Sequence, residues 1–114
     1  MKRGGNSPHE LMSPALLQGV AEQFKALGEP SRLLLMNLLF DGERTVGELV
    51  TESGLSQANV SKQLSVLFRA GWVLREKRGL TVLYRIGDER TFALCELMCS
   101  RVREQAAAAS ARLR

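Results

Sequence analysis

The chain has 114 residues, of which 45% are hydrophobic and 25% charged, and its formal net charge at pH 7 is +4. This is the balance of an ordinary globular domain, and the length suits a single core. No apolar run approaches the roughly 20 residues of a membrane span, so we expect no membrane partner. The excess of positive charge favours a polyanionic partner instead.

The chain starts without the apolar stretch of a secretion signal. Its two cysteines fit a reducing cytoplasm better than a disulfide scaffold, so a cytoplasmic location is expected. Residues 1–12 are predicted to be a flexible basic tail, and residues 13–114 a single folded domain. His9 is the only histidine. We expect it to be solvated, the alternative being a ligand or a proton switch.

Two helices are predicted before the middle of the chain, at about residues 14–27 and 30–40. Each begins with a proline in its first turn, which suits that position. The second helix is apolar on most sides between residues 33 and 40, which indicates a buried central helix. Arg32 lies near its start. We interpret Arg32 as a structural ion-pair partner, the alternative being a phosphate contact.

The stretch from residue 45 to residue 70 predicts two further helices joined by a tight turn. Thr45 and Glu48 stand at the two positions of a capping box at the start of the first of them. Gly54 suits the left-handed residue that ends a helix. Ser56 suits the N-cap of the second. Together these signals predict a helix–turn–helix.

The second of these helices has one apolar and one polar side. Its apolar side is formed by Val60, Leu64, Leu67 and Phe68. Its polar side carries Ala58, Asn59, Lys62, Ser65 and Arg69, and no acidic residue occurs between residues 55 and 72. Hydroxyls, amides and cations suit a helix that enters the DNA major groove, where carboxylates would meet phosphate repulsion. The alternative is a packed helical hairpin with a solvated face.

Residues 72–86 are predicted to form a β-hairpin around Gly79, since both flanks are rich in β-branched and aromatic residues. Its tip carries Lys77 and Arg78. After a helix–turn–helix such a hairpin is a wing, whose cations can bind phosphate or enter the minor groove. A merely solvated tip is the alternative. The fold predicted is mostly α, a winged helix–turn–helix with about five helices and a two-stranded wing.

The last helix is predicted to begin at Asp88. Its apolar positions are three and four residues apart, the spacing of a coiled-coil seam. They are Phe92, Cys95, Cys99, Val102, Ala106 and Ala109. We therefore expect a homodimer built on this helix and on Leu16, Leu17 and Val20 of the first helix. Two copies would read half-sites roughly 34 Å apart.

Between residues 24 and 86 the chain resembles the ArsR/SmtB family of winged helix–turn–helix repressors. Members typically show L-x-D-P-T-R at the first helix junction, where this chain reads LGEPSR from residue 27. They show L-S-Q-S-x-V-S-x-H-L in the recognition helix, where this chain reads LSQANVSKQL from residue 55. The resemblance implies a homodimer that binds a palindromic operator on double-stranded DNA and releases it on sensing an inducer.

The resemblance also assigns contacts to bases or phosphates. By the match these belong to Gln57, Asn59, Ser61, Lys62 and Gln63, with Gln63 standing where histidine is usual. Together with the residues found above, the full set of expected DNA contacts is Ser56, Gln57, Asn59, Ser61, Lys62, Gln63, Ser65, Arg69, Lys77 and Arg78.

Two inducer sites known in the family are absent from the sequence. Its Cys-x-Cys site would fall where this chain reads Val46-Gly47-Glu48-Leu49, and its zinc site would need histidine on the last helix. Cys95 and Cys99 remain, four residues apart on one helix face.

Three readings of the thiol pair stay open. Arsenite-like As(III) or a soft divalent metal could bind the thiolates, zinc or cadmium needing ligands from two protomers. The thiols could instead oxidise or form a persulfide. They could also be structural, since free cysteine behaves as a small hydrophobe. We rank the metal or metalloid inducer first and expect no resident cofactor.

Two other functions compete with a repressor. One is a protein-interaction module that has lost DNA binding. Acidic residues on the recognition face would favour this alternative, and there are none there. The other is an enzyme, for which no nucleophile–base set, phosphate loop or carboxylate pair stands out. We therefore expect a DNA-binding protein without enzymatic activity.

Overall fold

The computed structural model describes residues 12–112, so the prediction for the tail and His9 falls outside the described residues. Within that range the chain forms five helices and three strands. They are α1 (Pro14–Leu27), α2 (Pro30–Leu39), β1 (Arg44–Thr45), α3 (Val46–Ser53), α4 (Gln57–Arg69), β2 (Val73–Arg78), β3 (Thr81–Ile86) and α5 (Arg90–Arg112). The predicted winged helix–turn–helix class is confirmed.

The helix–turn–helix begins and turns as its local signals predict. The Thr45 hydroxyl accepts a hydrogen bond from the backbone N–H of Glu48 at 3.1 Å, and the Glu48 carboxylate accepts one from the N–H of Thr45 at 2.9 Å. Both halves of the capping box are therefore present. Gly54 ends α3 with φ +76°, which glycine adopts at least cost.

The core lies between α2, α3, α4 and the sheet. Its fully buried side chains are Leu35, Met36, Leu49, Val60, Leu64, Leu67 and Val73. Each such side chain contributes about 1.5–3 kcal/mol by leaving water. Because α2 supplies two of them and Leu39 as well, the predicted burial is confirmed for one side of α2. The other side, with Leu33 43% exposed, is open.

Arg32 is structural, but the predicted ion pair is wrong. Its Nε donates to the carbonyl of Ala26 at 2.6 Å and its Nη2 to that of Lys25 at 3.4 Å. These carbonyls belong to the last turn of α1, where helix carbonyls lack internal partners and a cation is favoured. The third partner is the side-chain oxygen of Gln63 on α4, at 2.8 Å. Arg32 therefore joins three helices without a carboxylate.

The wing contains a strand that the sequence does not reveal. β2 and β3 pair as the predicted hairpin, with Val73 opposite Ile86 and Arg78 opposite Thr81. The two residues of β1 then pair with the outer edge of β3, giving the order β1-β3-β2. Two residues are too few to show an alternating pattern, so only the tertiary contact identifies β1.

The last helix stands away from the core. α5 begins at Arg90, two residues later than predicted, and Asp88 accepts a hydrogen bond from its first N–H at 2.9 Å. Its 23 residues make it about 35 Å long. Thr91 is its buried residue, and Leu94 packs against the core. Of the helices within residues 12–112, none has the length and apolar character needed to cross a membrane.

Candidate nucleic-acid interface and thiol groove

The recognition helix α4 presents a polar, acid-free face. The Ser56 hydroxyl caps it by accepting from the backbone N–H of Asn59 at 3.1 Å. Because Val60, Leu64 and Leu67 turn into the core, the opposite side is left to solvent. The predicted contact residues that are exposed there are Ser56, Gln57, Ser61, Lys62, Ser65 and Arg69, and Asn59 is half-buried.

Gln63 is buried and not on this face, which opposes the DNA contact expected of it. Only 6% of the residue is exposed. Its carbonyl oxygen accepts from Arg32, and its amide donates to Asn59 Oδ1 at 2.9 Å. One turn separates Gln63 from Asn59, and the core stripe begins between them, which the motif match does not reveal. Gln63 therefore links α4 to α2 on the buried side of the recognition helix.

The two predicted cations of the wing tip differ in their surroundings. Arg78 donates to Glu43 at 2.8 Å and to Glu76 at 3.1 Å. These hydrogen bonds raise the pKa of Arg78, and Arg78 is the main cause that lowers the pKa of Glu76. The expected phosphate contact of Arg78 is thus opposed by two carboxylates. Lys77 is exposed and lies on the other face of β2.

Arg75 is a candidate contact that the sequence analysis missed. It is two residues from Lys77, so both share the strand face that Val73 turns toward the core. Its guanidinium carbon lies 4.2 Å from the ring centroid of Phe68 on α4, a cation–π contact. The sequence could have indicated this, because Arg75 and Lys77 are two positions apart in a predicted strand and therefore share one face. Arg75 continues the positive surface of α4 toward the wing.

A groove of about 720 Å³ separates α5 from α1 and α2, and we call it the thiol groove. Its lining residues are Phe24, Leu27, Gly28, Pro30, Leu33, Leu34, Asn37, Phe40, Leu94, Cys95, Met98, Cys99, Val102 and Arg103. Cys95 is half-buried and Cys99 exposed, and both are free. Burial, and secondarily the charge of Cys99, raises the pKa of Cys95.

The thiol groove contains sulfur donors but few oxygen or nitrogen donors. Cys95, Met98 and Cys99 follow at helical spacing and line the same concavity. Asn37 and Arg103 are the polar lining residues. Across residues 12–112, no cluster of three or more His, Cys, Asp and Glu side chains is positioned to hold a metal ion. The chemistry that this site offers is that of soft ligands.

The predicted dimer residues lie on the outside of the single chain. Leu16, Leu17, Phe92 and Val102 are each about half exposed, at 52, 48, 53 and 55%. Ala106 is exposed and Val20 half-buried. The Phe92 ring also meets Phe40 edge-on, with centroids 5.2 Å apart. Within residues 12–112, large apolar side chains of α1 and α5 therefore stay partly exposed.

A helix–turn–helix with a free polar recognition face, followed by a cationic wing, defines a winged helix–turn–helix DNA-binding protein. Comparison with known proteins agrees. The sequence pattern of the family described as "Bacterial regulatory protein, arsR family" matches residues 29–73. The "Probable mercury resistance operon repressor" of Streptomyces lividans is 39% identical over 88 residues, which cover 77% of this chain and 70% of that protein.

Solved structures extend the likeness to the fold. The crystal structure of Mycobacterium tuberculosis Rv0081 has a TM-score of 0.69 and 35% identity, covering 90% of this chain and all of that one. In sequence, Rv0081 is 43% identical over 67 residues, or 59% of its length. The homodimeric domain of Mb0332 from Mycobacterium bovis has a TM-score of 0.72 and 33% identity, covering 90% of this chain and 95% of that one.

The chain belongs to the ArsR family of bacterial regulatory proteins. It is a DNA-binding transcriptional repressor and not an enzyme.

Proposed function

We propose that this repressor binds a palindromic operator as a homodimer and releases it when a soft, thiol-binding inducer occupies the thiol groove. The observation that carries the DNA part is the exposed face of α4, with cations and hydroxyls but no carboxylate. Each copy would place α4 in the major groove, and the two half-sites would lie about one helical turn apart.

The wing supplies the backbone contacts in this proposal. Lys77 and Arg75 share a strand face next to α4, and neither has a carboxylate partner among the ion pairs of residues 12–112. We assign them to phosphate or to the minor groove. We assign Arg78 a structural role, in which its ion pair with Glu43 fixes the position of the wing.

Homodimerisation is supported by the apolar surfaces of α1 and α5. Leu16, Leu17 and Val102 are about half exposed, which leaves apolar surface that a second copy could cover, and Mb0332 is described as homodimeric. The interface proposed is Leu16, Leu17, Val20, Phe92, Cys95, Cys99, Val102 and Ala106. A second copy would also close part of the thiol groove, which links inducer binding to the geometry of the pair.

The proposed inducer is a soft metal ion or an arsenite-like metalloid. Cys95 and Cys99 provide two sulfur ligands on adjacent turns of α5, and Met98 brings a thioether to the same groove. The Streptomyces relative is named for mercury resistance, and Hg²⁺ is a thiophilic ion. Binding would repack α5 against α1 and α2 and so change the spacing of the recognition helices.

The salt dependence of DNA binding tests the first part. Replacing Lys62, Arg75 or Lys77 by alanine should each lower the slope of log affinity against log salt by about one, because each removes one released counterion. Arg78→Ala is the matched control from the same strand and should change the slope least. Equal losses for Arg75→Ala and Arg78→Ala would contradict the assignment.

Operator release tests the second part. Because Cys95 and Cys99 also lie in the proposed interface, the operator affinity of Cys95→Ser and Cys99→Ser is measured first without inducer, and release is compared with that value for each variant. Both substitutions should abolish release by Hg²⁺ and by arsenite, because serine removes the soft ligand at almost constant size. Ser100→Ala on the same helix is the control. If the inducer still releases operator DNA from both cysteine variants, the sensing role is contradicted and the cysteines are structural.

A redox inducer is the second candidate, since adjacent thiols can be oxidised or converted to persulfides. Its signature is distinct from that of a metal. Polysulfide would add sulfur mass to Cys95 or Cys99 and release the operator in the presence of a metal chelator. Mass spectrometry of the treated, reduced protein separates this outcome from reversible metal binding.

A further inference from the structure

Asn59, in the first turn of α4, is connected to Arg32 of α2 through one buried side chain. Arg32 Nη1 donates to Gln63 Oε1 at 2.8 Å, and Gln63 Nε2 donates to Asn59 Oδ1 at 2.9 Å. Gln63 is 6% exposed, so water offers little replacement for either bond. A chain of hydrogen bonds, which we call the line, therefore runs from the junction of α1 and α2 to the polar face of α4.

The direction of donation along this line is fixed by Arg32. A guanidinium can only donate, so Gln63 must turn its oxygen toward Arg32 and its NH₂ group toward Asn59. Asn59 must then turn its own oxygen inward, which leaves its NH₂ group facing outward. The two ends of an amide have nearly the same shape, so only hydrogen bonds decide its orientation. Arg32 is itself held by the carbonyls of Lys25 and Ala26.

We propose that Arg32 is a positioning residue for base recognition, which orients the Asn59 amide through Gln63 so that it offers donors to DNA. Guanine presents two acceptors and no donor on its major-groove edge, whereas cytosine presents only a donor. Asn59 would thus prefer guanine, and reject cytosine, at one position of each half-site. This inference rests on the proposed entry of α4 into the major groove.

The Gln63→Glu substitution tests the inference by reversing the line. A carboxylate still accepts from Arg32 but cannot donate, so the Asn59 amide must turn over to donate to it. Asn59 would then present its oxygen outward and prefer the cytosine amino group. Binding sites selected from a random DNA pool should change at one position per half-site, with a reversal of about tenfold in preference.

Gln105→Glu is the charge-matched control. It places the same added carboxylate at an exposed position of α5, outside the helix–turn–helix. It should lower overall affinity no more than any remote negative charge and leave the selected sequence unchanged. A Gln63→Glu protein that binds DNA and selects the wild-type sequence overturns the inference, as does a change spread evenly over the site.

Two Arg32 variants decide the matter if Gln63→Glu fails to bind DNA. Arg32→Lys keeps a donor near Gln63 and should keep the guanine preference. Arg32→Met removes the donor at similar length and should make that one position degenerate. An undiminished preference in Arg32→Met overturns the inference.

The proposed function can fail separately. Lys62→Ala with undiminished DNA affinity would place α4 outside the groove and remove the basis of both proposals. A normal loss in Lys62→Ala combined with an unchanged base preference in Arg32→Met and Gln63→Glu overturns the role of Arg32 alone.

Discussion

At the scale of single residues, the partners of a side chain decide what it can do. Lys77 and Arg78 are exposed neighbours of the same charge, yet Arg78 forms ion pairs with Glu43 and Glu76, whereas Lys77 is in none of the ion pairs within residues 12–112. Such exposed ion pairs contribute little to stability. Their consequence here is for binding, because a guanidinium between two carboxylates attracts phosphate weakly.

The pH dependence of inducer binding is a prediction at this scale. Metal binds thiolates, so protons compete with it and apparent affinity rises with pH. Burial, with the charge of Cys99, raises the pKa of Cys95, so the rise should continue above the usual pKa of cysteine. Competition titrations with Hg²⁺ between about pH 6 and pH 10 would measure it.

The control for this prediction is Cys95→Ser, which should remove the upper part of the rise together with most of the affinity. An affinity for Hg²⁺ that does not change above neutral pH would show that the raised pKa plays no part in inducer binding.

At the scale of elements, α3 shows how a short helix is stabilised by its ends. It has 8 residues, fewer than an isolated helix needs in water. The capping box at Thr45 and Glu48, the left-handed Gly54 and the buried Leu49 compensate. Because α3 packs against α4 and sets its angle, a frayed α3 would disturb the recognition helix.

The Thr45 cap gives the prediction at this scale. Thr45→Ala should lower the free energy of unfolding by about 1 kcal/mol, since the N–H of Glu48 loses its acceptor. Urea unfolding should show a lower midpoint with an unchanged slope. Thr45→Ser keeps the hydroxyl and should lose less, so equal losses for alanine and serine would contradict a capping role.

At the scale of the whole molecule, the single chain is extended. Its radius of gyration is 17.6 Å and its extents are 58 × 44 × 21 Å, whereas a compact chain of this length has a radius of about 13 Å. The helix α5 is about 35 Å long and leaves Phe92, Met98 and Val102 about half exposed. A second copy would bury this surface.

The Val102→Glu variant tests the dimer. A charge in an apolar interface must be desolvated without a partner, so the dimer dissociation constant should rise at least about tenfold. Sedimentation equilibrium would measure it. Leu80→Glu is the control, because Leu80 is fully exposed at the wing tip and away from α5. The dimer assignment is wrong if both variants, or neither, dissociate.

The sequence by itself determined the local structure. The Thr45–Glu48 box, the turn at Gly54, the apolar stripe of α4 and the hairpin around Gly79 depend on residues close in the chain, so their signals are visible in it. The acid-free side of α4 was predictable for the same reason. Family motifs then identified the fold and the DNA-binding function.

Only the tertiary structure decided the partners of distant residues. Arg32 and Gln63 are 31 positions apart in the sequence and hydrogen-bonded in the structure, and the same holds for Glu43 and Arg78 over 35 positions. The strand β1 pairs with the distant β3. The contact of Arg75 with Phe68 identified Arg75 as part of the candidate interface. The packing of α5 near α1 and α2 likewise placed Cys95, Met98 and Cys99 in one groove. Helical periodicity states which side of a helix is polar, but a side chain's hydrogen-bond partner depends on how the helices pack.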